Sequence, residues 1–300
     1  MTFWGEREDG TKLLLGDPQE VQLLYDADAP ASQLLAVFPG EDLWGPLVRV
    51  WVYGEKEVLF GGVVDEQTSF WEEEGKRVEL VCRSWEGVLL DNEAQPGTWR
   101  GPSLESLWRL YIQPLGFHTL VGDREPKPGE WCVEKGVSCW QVLADFCREY
   151  LGTTPYIDGE GVVHCEGIQP TVRQGGAVLS AQLRRSPCKR LSAVWQQSCR
   201  GTYDTPFYNR QAKGVVRQRY VSRESGRDPR ALLQEGEEEY LLLTVELAGE
   251  HWPVAGQRMA VEIPGLGQLP PCPVVSARYL RRPDGERTRL VLQGGEQLCG

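Results

Sequence analysis

The sequence predicts a mainly β chain of α+β composition: two related β-barrel domains with a small α+β domain inserted between them. The first observation behind this is a weak internal repeat. Leu47–Tyr53, a turn at Gly54-Glu55, Val58–Asp65, a charged hairpin tip at Glu72–Lys76 and Arg77–Ser84 give the order strand, tight turn, strand, long hairpin, strand. The same order returns over residues 258–294, with a Gly-rich turn at Gly265-Leu266-Gly267 and a charged tip at Arg281–Glu286. From Val63 to Val81 is 18 positions and from Val274 to Val291 is 17, so the two copies keep nearly the same spacing. The second observation is turn chemistry: 34 Gly and 20 Pro in 300 residues favour many short strands over long helices. The third is a middle stretch whose apolar residues recur at helical spacing.

In chain order, Thr11–Gly16, Val21–Tyr25 and Gln33–Phe38 read as strands, with turns at Asp26–Pro30 and Pro39-Gly40. In the next strand Val48, Val50 and Val52 alternate with Arg49, Trp51 and Tyr53, which places a valine face on a core. Gly61-Gly62 reads as a bulge or bend of the kind a closing barrel needs. Trp85–Leu90 is a short helix that closes the first domain, residues 1–98.

The inserted domain, 99–172, opens with Ser103 as the N-cap of a helix that buries Leu104, Leu107, Trp108 and Tyr111 and stops near Pro114. Ser138 followed by Gln141 has the capping-box spacing, with Leu143, Phe146, Cys147 and Tyr150 as the buried stripe and Gly152 as the stop. Tyr156–Cys165 is a hairpin around Asp158-Gly159. The last domain, 173–300, returns to strands at 177–183, 190–196 and 214–221. A brief helix follows at 230–235, started by Asp228-Pro229, and a strand at 240–247 leads into the repeat.

Charge is uneven. Residues 1–100 carry 20 acidic and 8 basic side chains, whereas residues 171–300 carry 13 and 19, within a net charge of −11. Opposite signs on two modules suggest that such modules face each other, within a chain or between copies. The arginines of the basic part lie along strands without an aromatic stacking motif, so no sequence-specific nucleic-acid site is expected. No apolar run approaches a membrane span and the start has no basic, apolar leader, so a soluble protein made in a cytoplasm is expected. The nine cysteines are irregularly spaced and include no Cys-x-x-Cys. They read as reduced thiols acting as small hydrophobes. Cys132, Cys139, Cys147, His164 and Cys165 lack the two-to-four-residue ligand spacing of a zinc site, and no metal or cofactor is expected.

No catalytic signature is present: no Gly-x-Ser-x-Gly, no His-Glu-x-x-His, no phosphate-binding loop and no dinucleotide fingerprint. His118, His164 and His251 are scattered, one to each region. Asp65-Glu66 has no partner carboxylate fixed at glycosidase separation, and Glu72–Glu74 and Glu235–Glu239 read as solvated loop charge. Trp51, Trp85, Trp108 and Trp140 sit where core or interface burial accounts for them. The expectation is a protein without enzymatic activity.

Val58–Asp65 followed by Val78–Ala94, then Ser138, Trp140, Leu143, Phe146, Gly152 and Asp158-Gly159, then Val254–Pro264, resembles in order the baseplate hub proteins of contractile phage tails. The likeness is nearest to those of Gram-positive prophages and phage-tail-like bacteriocins and spans nearly the whole chain. It implies that the two barrels are tube-type domains and that the protein is a homotrimer whose six barrels form a pseudo-hexameric ring. That ring adapts a hexameric tail tube to a trimeric spike. Further implied partners are the tail tube protein, the spike protein, a LysM-bearing hub-associated protein and the tape-measure protein. The spike is expected as a separate polypeptide. The implied place is the baseplate of a virion or tail-like particle assembled in the bacterial cytoplasm, with no membrane partner.

In such a ring acidic first barrels alternate with basic second ones, which makes Arg184, Arg185, Lys189 and Arg190 candidates for inter-subunit contacts. Acidic groups on the lumen wall would keep passing DNA or tape-measure protein from sticking. The alternatives are a hub-like tail-tip protein of a siphophage, a peptidoglycan-hydrolase-associated tail protein and a carbohydrate-binding module.

Overall fold

Seven strands in sequence order begin the chain: β1 Thr2–Arg7, β2 Lys12–Gly16, β3 Glu20–Asp26, β4 Gln33–Pro39, β5 Leu47–Tyr53, β6 Val58–Glu72 and β7 Gly75–Ser84. They are seen in a computed structural model that describes residues 1–294 except Lys56, Glu74, Pro253 and Val254. The Glu74 of the charged tip, the Val254 that opens one quoted motif, and Cys299 therefore lie outside the described residues. The strands hydrogen-bond antiparallel in the order β3-β4-β7-β6-β5-β1-β2. Their period of two fills one face with Phe3, Val21, Leu23, Leu34, Ala36, Phe38, Val50, Val52, Val78, Leu80 and Cys82, all buried. The valine face read from the sequence is Val50 and Val52; Val48 is only half-buried.

Gly61 and Gly62 do not form the bulge that the sequence suggested. The register of β6 against β7 shifts between Val64 and Glu66, so Asp65 is the inserted residue. The glycines serve close approach instead. A Cβ on Gly62 would stand 2.0 Å from the Arg83 carbonyl oxygen, and one on Gly61 would stand 2.0 Å from that of Gly159.

After β7 come α1 Glu86–Asp91, β8 Gly97–Arg100, α2 Leu104–Leu107, β9 Leu120–Val121, β10 Glu130–Val133, α3 Cys139–Phe146, β11 Tyr156–Ile157 and β12 Val163–His164. Ser103 Oγ accepts from Ser106 N at 3.1 Å and Ser138 Oγ from Gln141 N at 3.1 Å, so both helices start where the caps predict. Each widens in its continuation: Gln113 N donates to Trp108 O and Gly152 N to Cys147 O, both five residues back. Leu104, Leu107, Trp108, Tyr111, Leu143, Phe146 and Cys147 share one core with Trp85 and Leu89. Tyr150 is half-buried against it.

The later elements are β13 Val172–Gln174, β14 Val178–Arg185, β15 Ala193–Cys199, β16 Thr202–Tyr208, β17 Gln218–Val221, α4 Pro229–Tyr240, β18 Leu241–Ala248, β19 Arg258–Ala260, β20 Glu262–Ile263, β21 Gly267–Gln268, β22 Cys272–Arg282 and β23 Gly285–Gln293. Two compact units result. One holds residues 1–171 with Gly249–Gly256 and Ser276–Thr288, and the other holds Val172–Ala248, Gln257–Val275 and the strand from Arg289. In the first unit the tip half of the rear hairpin joins the front sheet. Ser276–Arg281 pairs with Asp26–Val21 of β3, and Arg281 and Arg282 reach Asp17 at 2.9 Å and Glu20 at 2.7 Å.

In the second unit β14 pairs with β18, β13 with β19, and β16-β15-β17 form a small sheet. The helix α4 is twice the predicted length. It runs through Gly236 because a side chain there would meet the Lys189 carbonyl oxygen at 2.8 Å. The predicted strand at 190–196 is observed at 193–199 and that at 214–221 at 218–221. The sequence reading had no strand at Thr202–Tyr208; Pro206 sits in it because β16 is an edge.

Candidate functional site

The histidines are placed as follows. His118 is exposed on the loop that follows α2 and its continuation, and His251 donates its backbone N–H to Thr288 Oγ1 at 3.1 Å. His164, on β12, is the most engaged: its ring stacks on Tyr156 with centroids 4.5 Å apart. Its Nε2 lies 3.1 Å from Asp158 Oδ2 and its Nδ1 3.0 Å from Glu166 Oε1. Burial pulls its pKa down, but the hydrogen bonds to Glu166 and Asp158 outweigh that and the net shift is upward.

Beside this hairpin lies a carboxyl that the sequence did not single out. Glu86 is only 5% exposed, at the start of α1. It accepts from Ser84 Oγ at 2.5 Å and from Ile157 N at 2.9 Å. Burial pushes its pKa up to about 7, the two hydrogen bonds oppose that, and the nearby charge of Asp158 adds to it. The cluster holds the hairpin to the sheet, aided by Trp85 Nε1 donating to Gly159 O at 3.1 Å. A general acid needs an open approach for substrate, and here both Glu86 oxygens are already used within the fold.

The carboxylate pair at Asp65-Glu66 resolves into structure. Asp65 takes Arg83 in a two-point contact of 2.7 and 2.9 Å, and the same guanidinium reaches Asp91 at 2.6 Å. Cys147 and Cys165 are buried neighbours, with the Cys165 thiol pushed up by Cys147 and by burial, whereas Cys132 is exposed. Among the described residues no group of three or more His, Cys, Asp or Glu is placed to hold a metal ion.

A cleft in the first unit is lined by Glu6, Lys12, Arg49, Trp51, Trp85 and His118. Arg49 Nη1 binds Glu6 Oε1 at 2.6 Å, and Lys12 Nζ sits 4.4 Å over the Trp51 ring, on a face that a sugar would use for stacking. Trp51 and Trp85 lie 5.6 Å apart, and Trp85, Trp108 and Trp140 are buried, so these tryptophans pack and pair within the fold.

The four basic candidates do not form one surface. Arg184 and Arg185 are exposed on β14, opposite Leu242 and Leu241 of β18. Lys189 pairs with Glu239 at 2.5 Å. Arg190 is held inside the second unit: its guanidinium lies 3.8 Å over the Tyr240 ring and binds Glu237 at 2.6 Å. Glu237 also accepts from Asn209 Nδ2 at 2.5 Å. The run Glu235–Glu239 is thus helix rather than solvated loop, and its middle member is a structural acceptor. Only α4 shows this, because it alone brings Glu237 opposite Arg190.

What the sequence reading missed is an aromatic face on the small sheet. Pairing of Ala193 with Tyr208, and of Trp195 with Pro206 and Tyr220, puts these side chains on one side. Tyr203 joins them through an edge contact with Tyr220 at 5.6 Å. These residues are 17 positions apart in sequence, and only the parallel pairing of β15 with β17 brings them together.

No family model matches the sequence, and no curated protein matches it. Solved structures do. The 43 kDa tail protein of prophage MuSo2 from Shewanella oneidensis superposes with a TM-score of 0.78 at 13% identity, covering 99% of each chain. The tail protein from Neisseria meningitidis MC58 gives 0.71 at 18% identity, over 99% of this chain and 98% of that one. The E. coli protein c3393 is described as a component of the type VI secretion system with structural similarity to T4 bacteriophage tail proteins gp27 and gp5. It gives 0.58 at 9% identity, over 94% of this chain and 74% of that one. At these identities the likeness speaks for architecture: over nearly its whole length, this chain has the mainly β fold of these tail proteins.

Proposed function

We propose that this protein is a structural hub of a contractile-tail or tailocin baseplate, of the Gram-positive prophage type. In this reading it is a homotrimer in which two tube-type barrels per chain, residues 1–98 and 173–300, make a pseudo-sixfold ring between tube and spike. The α+β domain 99–172 lies between them in sequence. The observation that carries the reading is the end-to-end likeness of fold to two tail proteins, over 99% of this chain and at least 98% of each of theirs. The internal repeat supports it, since three copies of two modules match six. The side chains agree in kind: the titratable clusters at Glu86, His164 and Asp65 are spent on holding hairpins and strands. Arg184 and Arg185 are the lateral contacts of this proposal, and the tube, spike, LysM-bearing and tape-measure proteins are its partners.

The test is to delete the gene in the bacterium that carries it and image the particles by electron microscopy. The expected result is tubes or sheaths without a baseplate, restored by the wild-type gene. Particles with intact baseplates, or lysis of cell walls by the purified protein in a zymogram, would overturn the proposal in favour of an accessory or hydrolytic role.

A further inference from the structure

The small sheet of the second unit has one covered face and one bare face. On the covered side Leu191, Val194 and Val221 pack together, with Leu232 and Leu233 of α4 against them. On the bare side stand Tyr203, Tyr208 and Tyr220 around a half-buried Trp195; Tyr208 is 64% exposed and Tyr220 62%. The surrounding stretch is cationic: residues 200–230 hold eight Arg or Lys against three Asp or Glu. Arg200 and Arg223 are exposed at the end of β15 where Tyr203 lies, and Arg223 Nη1 reaches the Ser198 carbonyl at 3.5 Å. An aromatic centre with an arginine rim has the composition of a protein-interface hot spot. Its complement is an apolar knob flanked by carboxylates.

The chain carries such a knob at the tip of the β6–β7 hairpin. Trp71 is 72% exposed there, and Glu72 and Glu73 follow it. Glu72 pairs with Arg77 on the adjoining strand, which fixes the tip without covering the indole. The knob belongs to the acidic first hundred residues and the face to the basic stretch 171–300, so their charges are complementary. Both surfaces are exposed, so each is open to its complement on a second copy.

We infer that the Trp71 tip of one copy docks on the Tyr203–Tyr208–Tyr220 face of a second copy, with Glu72 and Glu73 against the Arg200 and Arg223 rim. This rests on the proposed ring assembly and names one of its contacts.

A photocrosslinking residue, p-benzoylphenylalanine, placed at position 71 tests it in the full-length protein. Equal amounts of 14N- and 15N-labelled chains separate crosslinks between copies from those within one. Crosslinks between copies should fall within residues 195–223, with a yield at least fivefold lower when the acceptor carries Tyr220→Ala and lower again at high salt. Tyr220 is exposed, so circular dichroism and melting should not change. If they do, the acceptor Arg200→Glu/Arg223→Glu should lose the crosslink, and Glu72→Arg/Glu73→Arg on the donor should restore it.

Crosslinks confined to one chain, crosslinks landing elsewhere, no crosslinks at all, or a yield indifferent to both acceptor variants would overturn the contact. The hub reading is judged separately by the particles: lost baseplates with no such crosslink sink only this inference. The crosslink with normal particles sinks only the hub.

Discussion

At Glu86 burial and charge conflict. Its folded pKa, about 7, lies above the ordinary value near 4.5. Between those values the folded chain holds a proton that the unfolded chain has released, so this group's contribution to stability falls as pH rises and levels off above about 7. Glu86→Gln keeps the shape and can still accept from Ile157 N. The variant should therefore gain stability at pH 8, on the order of 2–4 kcal/mol, and show a flatter profile between pH 5 and 7. Urea denaturation at pH 5 and pH 8 measures both. An equal loss at the two pH values would mean that the carboxylate is needed in its charged form. His164 acts in the same direction: its raised pKa adds stability below its unfolded value, lost as pH rises through the folded one. The hairpin that contains Asp158 is therefore held more firmly in mild acid.

At the scale of elements, local chemistry decided what could be read. Ser103, Ser138 and the Asp228-Pro229 pair mark helix starts through hydrogen bonds of their own, and all three helices begin there. The length of α4 was hidden because Gly236 and four glutamates look like a helix end and a loop. Gly236→Ala isolates the conflict. Helix propensity favours alanine by up to 1 kcal/mol, but the added Cβ meets the Lys189 carbonyl at 2.8 Å. The clash should win, lowering stability by roughly 1–2 kcal/mol. A rise in melting temperature would show that the Lys189 turn yields. The strand Thr202–Tyr208 was hidden for a related reason: Pro206 breaks a ladder only where both edges are bonded, and the sequence does not say which strands are edges.

For the whole molecule, the candidate contacts were legible as charge but not as surface. The count of +6 over residues 171–300 treats every arginine alike, whereas Arg190 is spent on Glu237 and Tyr240 and only Arg184 and Arg185 stand exposed on β14. Arg184→Glu/Arg185→Glu should therefore leave melting unchanged and raise the concentration needed for self-association about tenfold at low salt. Light scattering would show the difference shrinking at 0.5 M salt as charges are screened. No change at either salt would remove these two residues from the assembly. The tyrosine face was illegible because its members come together only by strand pairing.

The returning strand β22 bears on how the gene can be divided. A fragment ending at residue 171 carries all the front strands yet lacks Ser276–Arg281, the segment that satisfies the outer side of Val21–Asp26. Such a fragment would leave backbone donors and acceptors bare along six residues, an open template for adhesion to other chains. A soluble excised first unit would need that late segment grafted back, for instance by circular permutation.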